Sequence, residues 1–293
     1  MTRKPVDRLP ELRDPILIAA FSGWNDAGDA ATDAVDHLAL IWDATDLHNI
    51  DPDDYYDLQV SRPVVRQVDG VLRRVEWPST LVSYCRLPDA DRDVVLVSGI
   101  EPNFHWPAFC REIVDIAMTL NTERAVMLGA YTSDIPHTRP VKVTGCADSA
   151  EAAAEHGFTK DKYTGSAGIT TILQSAFTEA GIPAMTLWAT VPHYAANPPQ
   201  PRASLALLSR LEDVLDTAIP LGKLPAKADK WQAAYDDMTA EDEDMAGYVR
   251  DLEELDDAEH SLGDDVDGDV LAAEFERYLR RRGRDERGQR DQR

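Results

Sequence analysis

Residues 16–31 read ILIAAFSGWNDAGDAA, and this stretch decides the fold class. Its first six residues are continuously apolar, as is typical of a strand that is buried on both faces of a parallel sheet. A glycine-bounded turn follows, and the helical pattern AATDAVDHLALIW begins at Ala30. Strand, turn and helix in this order often build a ligand site. The turn is therefore either such a site or a tightly packed connection.

The turn lacks the residues that a phosphate loop requires. Its two glycines have the spacing G-x-x-x-x-G, but Asp29 and Ala30 stand where a nucleotide-triphosphate loop has Lys and Ser or Thr. The carboxylates in and after the turn would also repel a phosphate. We expect instead that Asn25 or Asp26 caps the following helix and that both residues contribute to a polar edge of the sheet.

Three further apolar runs resemble the first, and amphipathic helices alternate with them. The runs occupy residues 93–99, 125–131 and 184–191. Helical periodicity is found in residues 107–120, 169–180 and 204–219. This alternation predicts an α/β fold with a mainly parallel sheet that is sandwiched by helices.

Residues 55–86 have a different pattern of short β-branched segments. They are divided by Asp69-Gly70, a dipeptide that favours a tight hairpin turn. We expect a β-hairpin inserted after the first strand and helix.

After residue 225 the composition changes to acidic segments with sparse apolar seams. We therefore divide the chain into an α/β domain, residues 1–225, and an acidic helical extension with an Arg-rich tail, residues 226–293. The seams predict two amphipathic helices, whose apolar residues are Met245, Tyr248, Leu252 and Leu255 in the first and Val270, Leu271, Phe275, Tyr278 and Leu279 in the second. Either helix could pack on the body, on a second subunit or on a partner.

Of the formal net charge of −23, residues 1–235 carry −11, which argues against nucleic-acid binding by the body, because that binding needs a basic surface. No apolar run approaches the ~20 residues of a membrane span, and the N-terminus has no apolar signal region, so we expect a cytoplasmic protein without membrane contact. Three widely separated cysteines suggest neither a disulfide framework nor a metal site. We expect no cofactor and no metal.

Polar side chains gather just after the predicted strands. In a parallel sheet the carboxyl ends of the strands share one edge, where ligands usually bind. The candidate pocket residues at this edge are Asn25, Asp26, Glu101, His137, Thr138, Arg139, His193 and Tyr194. The alternative is a purely structural role, in which these side chains cap helices and connect neighbouring loops.

Either catalysis or small-ligand binding fits such a set. An acid/base His, a Glu and an anion-holding Arg would suit a hydrolase, a phosphorolytic enzyme or a small-ligand binder, with Glu101, His137, Arg139 and His193 in the cleft. However, G-x-S-x-G and H-E-x-x-H are both missing, so neither an activated nucleophile nor a zinc site is visible. We therefore assign no catalytic residue.

A series of motifs, in order, supplies a resemblance. SGWNDAG, RPVVRQVDG, SGIEPNFHW, LGAYTSDIPHTRPV, YTGSAGI and GIPAMTLWATVPHY together resemble the proteasome assembly chaperone 2 family in its bacterial branch, over roughly residues 14–225. The acidic helical extension is similar to that of actinobacterial members.

The resemblance implies a nucleoside-phosphorylase-like α/β fold without established catalysis, in a family whose members commonly self-associate. It makes proteasome subunits candidate partners, besides further copies of the chain in a homo-oligomer such as a trimer. The leading hypothesis is a non-catalytic protein-binding module. The alternative is the enzyme or small-ligand binder with a cleft at the strand ends.

Overall fold

A computed structural model describes residues 10–68, 70, 72–87, 90–158 and 164–263. The strands are β1 Ile16–Ser22, β2 Thr45–Ile50, β3 Val64–Val68, β4 Leu72–Glu76, β5 Thr80–Cys85, β6 Val94–Ile100, β7 Arg124–Ser133, β8 Val143–Ala147 and β9 Ala184–Pro192. The helices are α1 Ala30–Ile41, α2 Pro52–Tyr55, α3 Trp106–Thr119, α4 Ala150–Glu155, α5 Ile169–Glu179, α6 Pro201–Leu215, α7 Leu224–Glu241 and α8 Glu243–Gly263. Each predicted apolar run forms a strand, and the helical patterns at residues 107–120, 169–180 and 204–219 correspond to α3, α5 and α6.

Seven strands form one sheet in the order β2-β5-β6-β1-β7-β9-β8. The four strands that the apolar runs predicted, β6, β1, β7 and β9, are its parallel centre. β5 and β8 flank this centre in antiparallel orientation, and β2 pairs antiparallel with β5. The predicted α/β class with a mainly parallel sheet is confirmed, and the flanking strands make the sheet mixed.

Alternate side chains of β1 enter two different cores, because helices cover both faces of the sheet. Ile16 and Ile18 pack with α1 and α6 on one face. Leu17 and Phe21 pack with α3 and α5 on the other. Burial on both faces explains why this strand reads as a continuous apolar run.

The predicted hairpin forms from β3 and β4, which pair antiparallel as a separate two-stranded sheet. The sequence did not indicate that the last part of residues 55–86 belongs to the main sheet and not to the hairpin. Residues Thr80–Cys85 form β5 and join the main sheet between β2 and β6.

The first predicted helix of the acidic extension is α8, and α7, which the sequence analysis did not predict, precedes it. α7 begins at Leu224, which is buried together with Ala228, and α8 buries Val249 and Leu252. The predicted seam residues Tyr248 and Leu252 lie on α8. The second predicted helix, from Val270 to Leu279, and the Arg-rich tail lie outside the described residues.

Two residues of α3 provide a matched test of this core. Ile113 is fully buried, whereas Met118 is 54% exposed. We expect Ile113→Ala to lower the free energy of unfolding by about 2–5 kcal/mol, because it leaves a cavity between α3 and the sheet. Met118→Ala should change it by less than about 0.5 kcal/mol. Denaturant unfolding of both variants checks this, and equal effects would contradict the assigned orientation of α3.

Candidate functional site

The first part of the site lies where two neighbouring strands send the chain to opposite faces of the sheet. β1 leads to α1 on one face, and β6 leads to α3 on the other. Such a divergence opens a crevice at the carboxyl ends of the strands, where ligands bind in open α/β sheets. Asn25 and Asp26 follow β1 and Glu101 follows β6, so three of the eight predicted residues lie at this crevice.

Glu101 joins three elements through one carboxylate oxygen. Its Oε1 atom accepts hydrogen bonds from Asn25 Nδ2 at 2.5 Å and from the backbone N–H of Ile169 at 2.9 Å. Ile169 is the first residue of α5, so the carboxylate satisfies a free N–H and lies at the positive end of the helix dipole. A side chain at Gly168 would collide with Asn25 Oδ1, and the glycine permits this close approach.

The N-cap residue of α1 is Asp29, but the side chain of Asp26 satisfies the first N–H groups of the helix, as the sequence predicted for Asn25 or Asp26. Its carboxylate accepts from the backbone N–H of Ala31 at 2.6 Å, from that of Thr32 at 3.0 Å and from Thr32 Oγ1 at 2.5 Å. Burial raises the pKa of Asp26, and these hydrogen bonds oppose the shift. Asn25 bonds Glu101 instead, so the polar turn has a structural role in tying α1 and α5 to the sheet.

The second part of the site surrounds His137, which lies after β7 and is 1% exposed. Tyr194, after β9, binds it twice: the Tyr194 hydroxyl oxygen accepts from the backbone N–H of His137 at 2.7 Å and meets ring atom Nδ1 at 2.6 Å. With the hydroxyl donating to Nδ1, the imidazole proton is on Nε2. That nitrogen faces Asp236 Oδ1 of α7 at 3.3 Å, an ion-pair distance without hydrogen-bond alignment.

Burial determines the protonation states of His137 and Tyr194. Desolvation lowers the pKa of His137, and Asp236 opposes the shift. Burial likewise raises the pKa of Tyr194 to about 12. Both groups are therefore neutral near pH 7. The rings of Trp231 and Tyr235 on α7 lie 6.5 and 6.0 Å from the His137 ring, centroid to centroid.

The other predicted residues after β7 pair with carboxylates of α8. Thr138 Oγ1 donates to Glu253, and the Arg139 guanidinium contacts Asp257 Oδ2 at 2.7 Å. The spacing of the two carboxylates places them on one side of the helix.

His193 contacts α8 through an aromatic group. Its ring meets that of Tyr248 edge-on at 5.7 Å, and the Tyr194 ring meets the same tyrosine at 5.9 Å. His193 Nδ1 also lies 3.1 Å from Asp134 Oδ1.

The predicted cleft at this end of the sheet is filled by the chain itself. A cavity of about 10 Å³ is left beside Pro136, His137 and Trp231, which is room for about one water molecule. The eight predicted residues thus fall into two groups. Asn25, Asp26 and Glu101 lie at the crevice between β1 and β6, whereas the other five contact α7 or α8.

The sequence analysis did not identify Arg202, Lys142 and Asp256, which hold the segment after β7 in place. Arg202 at the start of α6 donates to the backbone oxygens of His137 and Arg139. Lys142 pairs with Asp256, which is buried, at 2.5 Å. Their signal in the sequence was the placement of acids at positions 253, 256 and 257, one face of a helix, beside the predicted apolar seam.

No group of three or more His, Cys, Asp or Glu side chains in the described ranges is arranged to hold a metal ion. No helix within those ranges is long and apolar enough to cross a membrane.

The fold and the site together define a class: an α/β protein whose C-terminal helices close over the loops at one end of a mainly parallel sheet. The model of the PAC2 family matches residues 20–239. The chain belongs to this family, as its motifs predicted. α8 lies beyond the matched residues.

Solved structures include similar actinobacterial proteins. A proteasome-assembly chaperone homologue from Mycobacterium tuberculosis is 52% identical at a TM-score of 0.74, over 80% of this chain and 99% of its own. A PAC2 family protein from Streptomyces avermitilis is 48% identical at a TM-score of 0.76, over 80% of this chain and all of its own. An archaeal proteasome activator from Pyrococcus furiosus, 16% identical at 0.65 over 79% of this chain and 96% of its own, shares the fold. No curated protein matches the chain.

The burial of neutral His137 predicts a pH dependence of stability. Its pKa in the folded protein is below the ordinary value of about 6.5, so below that pH the unfolded chain binds a proton that the folded one does not. The free energy of unfolding should therefore fall as the pH is lowered from 7 to 5. Asp236 of α7, Glu253 of α8 and Arg202 of α6 surround the ring and modulate this effect.

Denaturant unfolding at several pH values checks this prediction in wild type and His137→Gln. The variant should be less stable at pH 7 but should lose less stability on acidification. Met118→Ala, which changes an exposed, non-titrating residue of α3, is the control and should retain the slope of the wild type. Equal slopes in wild type and His137→Gln would show that the ring is not buried under α7.

Proposed function

We propose that the chain is a protein-binding module of the proteasome-assembly-chaperone type, which works without catalysis and self-associates. Membership of the PAC2 family and 52% identity to a proteasome-assembly chaperone homologue support a chaperone-like role. Proteasome subunits are the candidate partners, the cytoplasm is the expected location, and a trimer is one arrangement of the copies.

The observation that carries this proposal is the filling of the predicted cleft. The residues that could act on a ligand after β7 and β9 have partners within the chain: His137 binds Tyr194, and Arg139 binds Asp257. A cavity of about 10 Å³ between them cannot hold a nucleoside or a sugar, since ligand pockets commonly measure about 300–1,000 Å³. At the predicted cleft, this geometry favours recognition by the outer surface over binding of a small ligand.

That outer surface carries large aromatic side chains near the crevice. Trp24, after β1, is 64% exposed, and Phe104, after the neighbouring strand β6, is 48% exposed. Exposed aromatic residues of this size are enriched where proteins bind one another. We propose that these two residues belong to the surface that meets the partner.

The alternative of an enzyme or small-ligand binder requires two rearrangements. Glu101 would have to act together with His137, Arg139 and His193, although it lies in the other group and is bound to Asn25 and α5. The helices α7 and α8 would also have to leave their places. A thermal shift with inorganic phosphate or nucleosides that Arg139→Ala abolishes would favour this alternative.

Affinity capture of the full chain from its native cytoplasm, followed by mass spectrometry, tests the proposed partners. We expect proteasome subunits in stoichiometric amounts. Trp24→Ser combined with Phe104→Ser should reduce their recovery at least about tenfold, because truncation of a central aromatic residue typically costs ~2 kcal/mol or more. Leu40→Ser, which changes an 81% exposed residue on α1, is the control.

Recovery of the protein with only its own copies would contradict the proteasome-directed role. Equal losses in the control and in the aromatic double variant would show that Trp24 and Phe104 do not form the contact.

A further inference from the structure

The β3–β4 hairpin is a basic, partly apolar projection on an acidic protein. Between residues 62 and 76 it carries four arginines and two acids, whereas the chain has a formal net charge of −23. Val65 and Val75 face each other across the two strands and are 58% and 46% exposed. Trp77 lies two residues beyond Val75 and is 55% exposed.

Both faces of this hairpin are in contact with solvent. Side chains of opposite faces, such as Val64 and Val65, are each more than half exposed. A two-stranded sheet has marginal stability in water unless it packs on something else. Arg66 also lies directly opposite Arg74, an arrangement that is unfavourable unless acidic groups approach it. Glu76 contacts Arg66 at 2.5 Å, and additional carboxylates from another surface would stabilise the pair.

The outer surface of α7 has the complementary character. Asp237, Met238 and Glu241 are all exposed, with Met238 at 56%. Their spacing of three and four residues to Glu241 places them on one side of the helix. The exposed acids Asp242, Glu243 and Asp244 continue the negative charge into α8. We call Asp237, Met238 and Glu241 the α7 patch.

The hairpin and the α7 patch belong to opposite parts of the sheet. The hairpin leads into β5, whereas α7 covers the residues that follow β7 and β9. β6, β1 and β7 separate β5 from β9, so these two strands lie roughly 19 Å apart at ~4.8 Å per strand. The exposure of the hairpin side chains shows that α7 and α8 of the same chain do not cover them.

We propose that the hairpin of one copy docks on the α7 patch of a second copy. Arginines would meet carboxylates, and Val65, Val75 and Trp77 would cover Met238. The two surfaces are different, so the contact is head-to-tail and closes into a ring when the rotation between copies allows it. This inference rests on the self-association in the proposed function and specifies its surfaces.

Charge reversal in the full chain tests this pairing, with molar mass measured by light scattering over a range of concentrations. Arg73→Glu with Arg74→Glu, and separately Asp237→Lys with Glu241→Lys, should each weaken self-association at least about tenfold, since like charges then face each other. The variant with all four substitutions restores opposite charges and should regain most of the wild-type association. Arg92→Glu with Arg111→Glu, outside the hairpin, should have little effect.

The outcomes separate this inference from the proposal beneath it. A wild type that stays monomeric throughout would overturn both the self-association and the docking contact. A wild-type oligomer that resists the hairpin reversal, or a fourfold variant that stays dissociated, would overturn the docking contact alone. If the variant with all four substitutions regains self-association, the two separate charge reversals act through the contact and not through misfolding.

Discussion

The carboxyl ends of the parallel strands form one edge of the sheet. At β7 and β9 the structure of this edge depends on the pairing of α8 with the segment after β7. Asp256 is 7% exposed and pairs with Lys142, whose side chain is 38% exposed, so loss of the lysine would leave a nearly buried carboxylate with less compensation for its charge. The more exposed pair of Arg139 and Asp257 contributes less, about 0–1 kcal/mol. Once Asp256 fixes α8, its neighbouring carboxylate Glu253 meets Thr138, and the polar residues after β7 become an intramolecular interface.

The two ends of the same sheet edge are therefore fixed by different means. At the crevice between β1 and β6, Glu101 accepts hydrogen bonds from Asn25 and from the start of α5, and Trp24 is exposed to solvent. At the other end, α7 and α8 cover His137 and leave a cavity of about 10 Å³ beside it. A body with both ends fixed and aromatic groups exposed is suited to binding proteins through a preformed surface, because little ordering cost remains to be met on association.

The sequence revealed the parts of the fold whose burial is uniform. β1 and its parallel neighbours are apolar throughout because helices cover both faces, whereas β2, with the sequence TDLHNI, has mostly exposed or half-buried residues and gave no such pattern. The cap of α1 was predictable because Asp26 acts within six residues of its own position. The cover over Thr138 was not, because Glu253 is 115 residues away along the chain and a run of acids resembles a solvated surface.

The most direct test is whether α8 covers the segment after β7. Hydrogen–deuterium exchange of the full chain is compared with that of an Asp256→Lys, Asp257→Lys variant. Reversal places like charges opposite Lys142 and Arg139, so we expect faster exchange both in α8 and in residues 134–142, with α3 unchanged. Asp251→Lys, at an exposed position of α8, should leave all three regions as in the wild type. Unchanged exchange in residues 134–142 of the double variant would contradict the account, because those residues would then not depend on α8 for their protection.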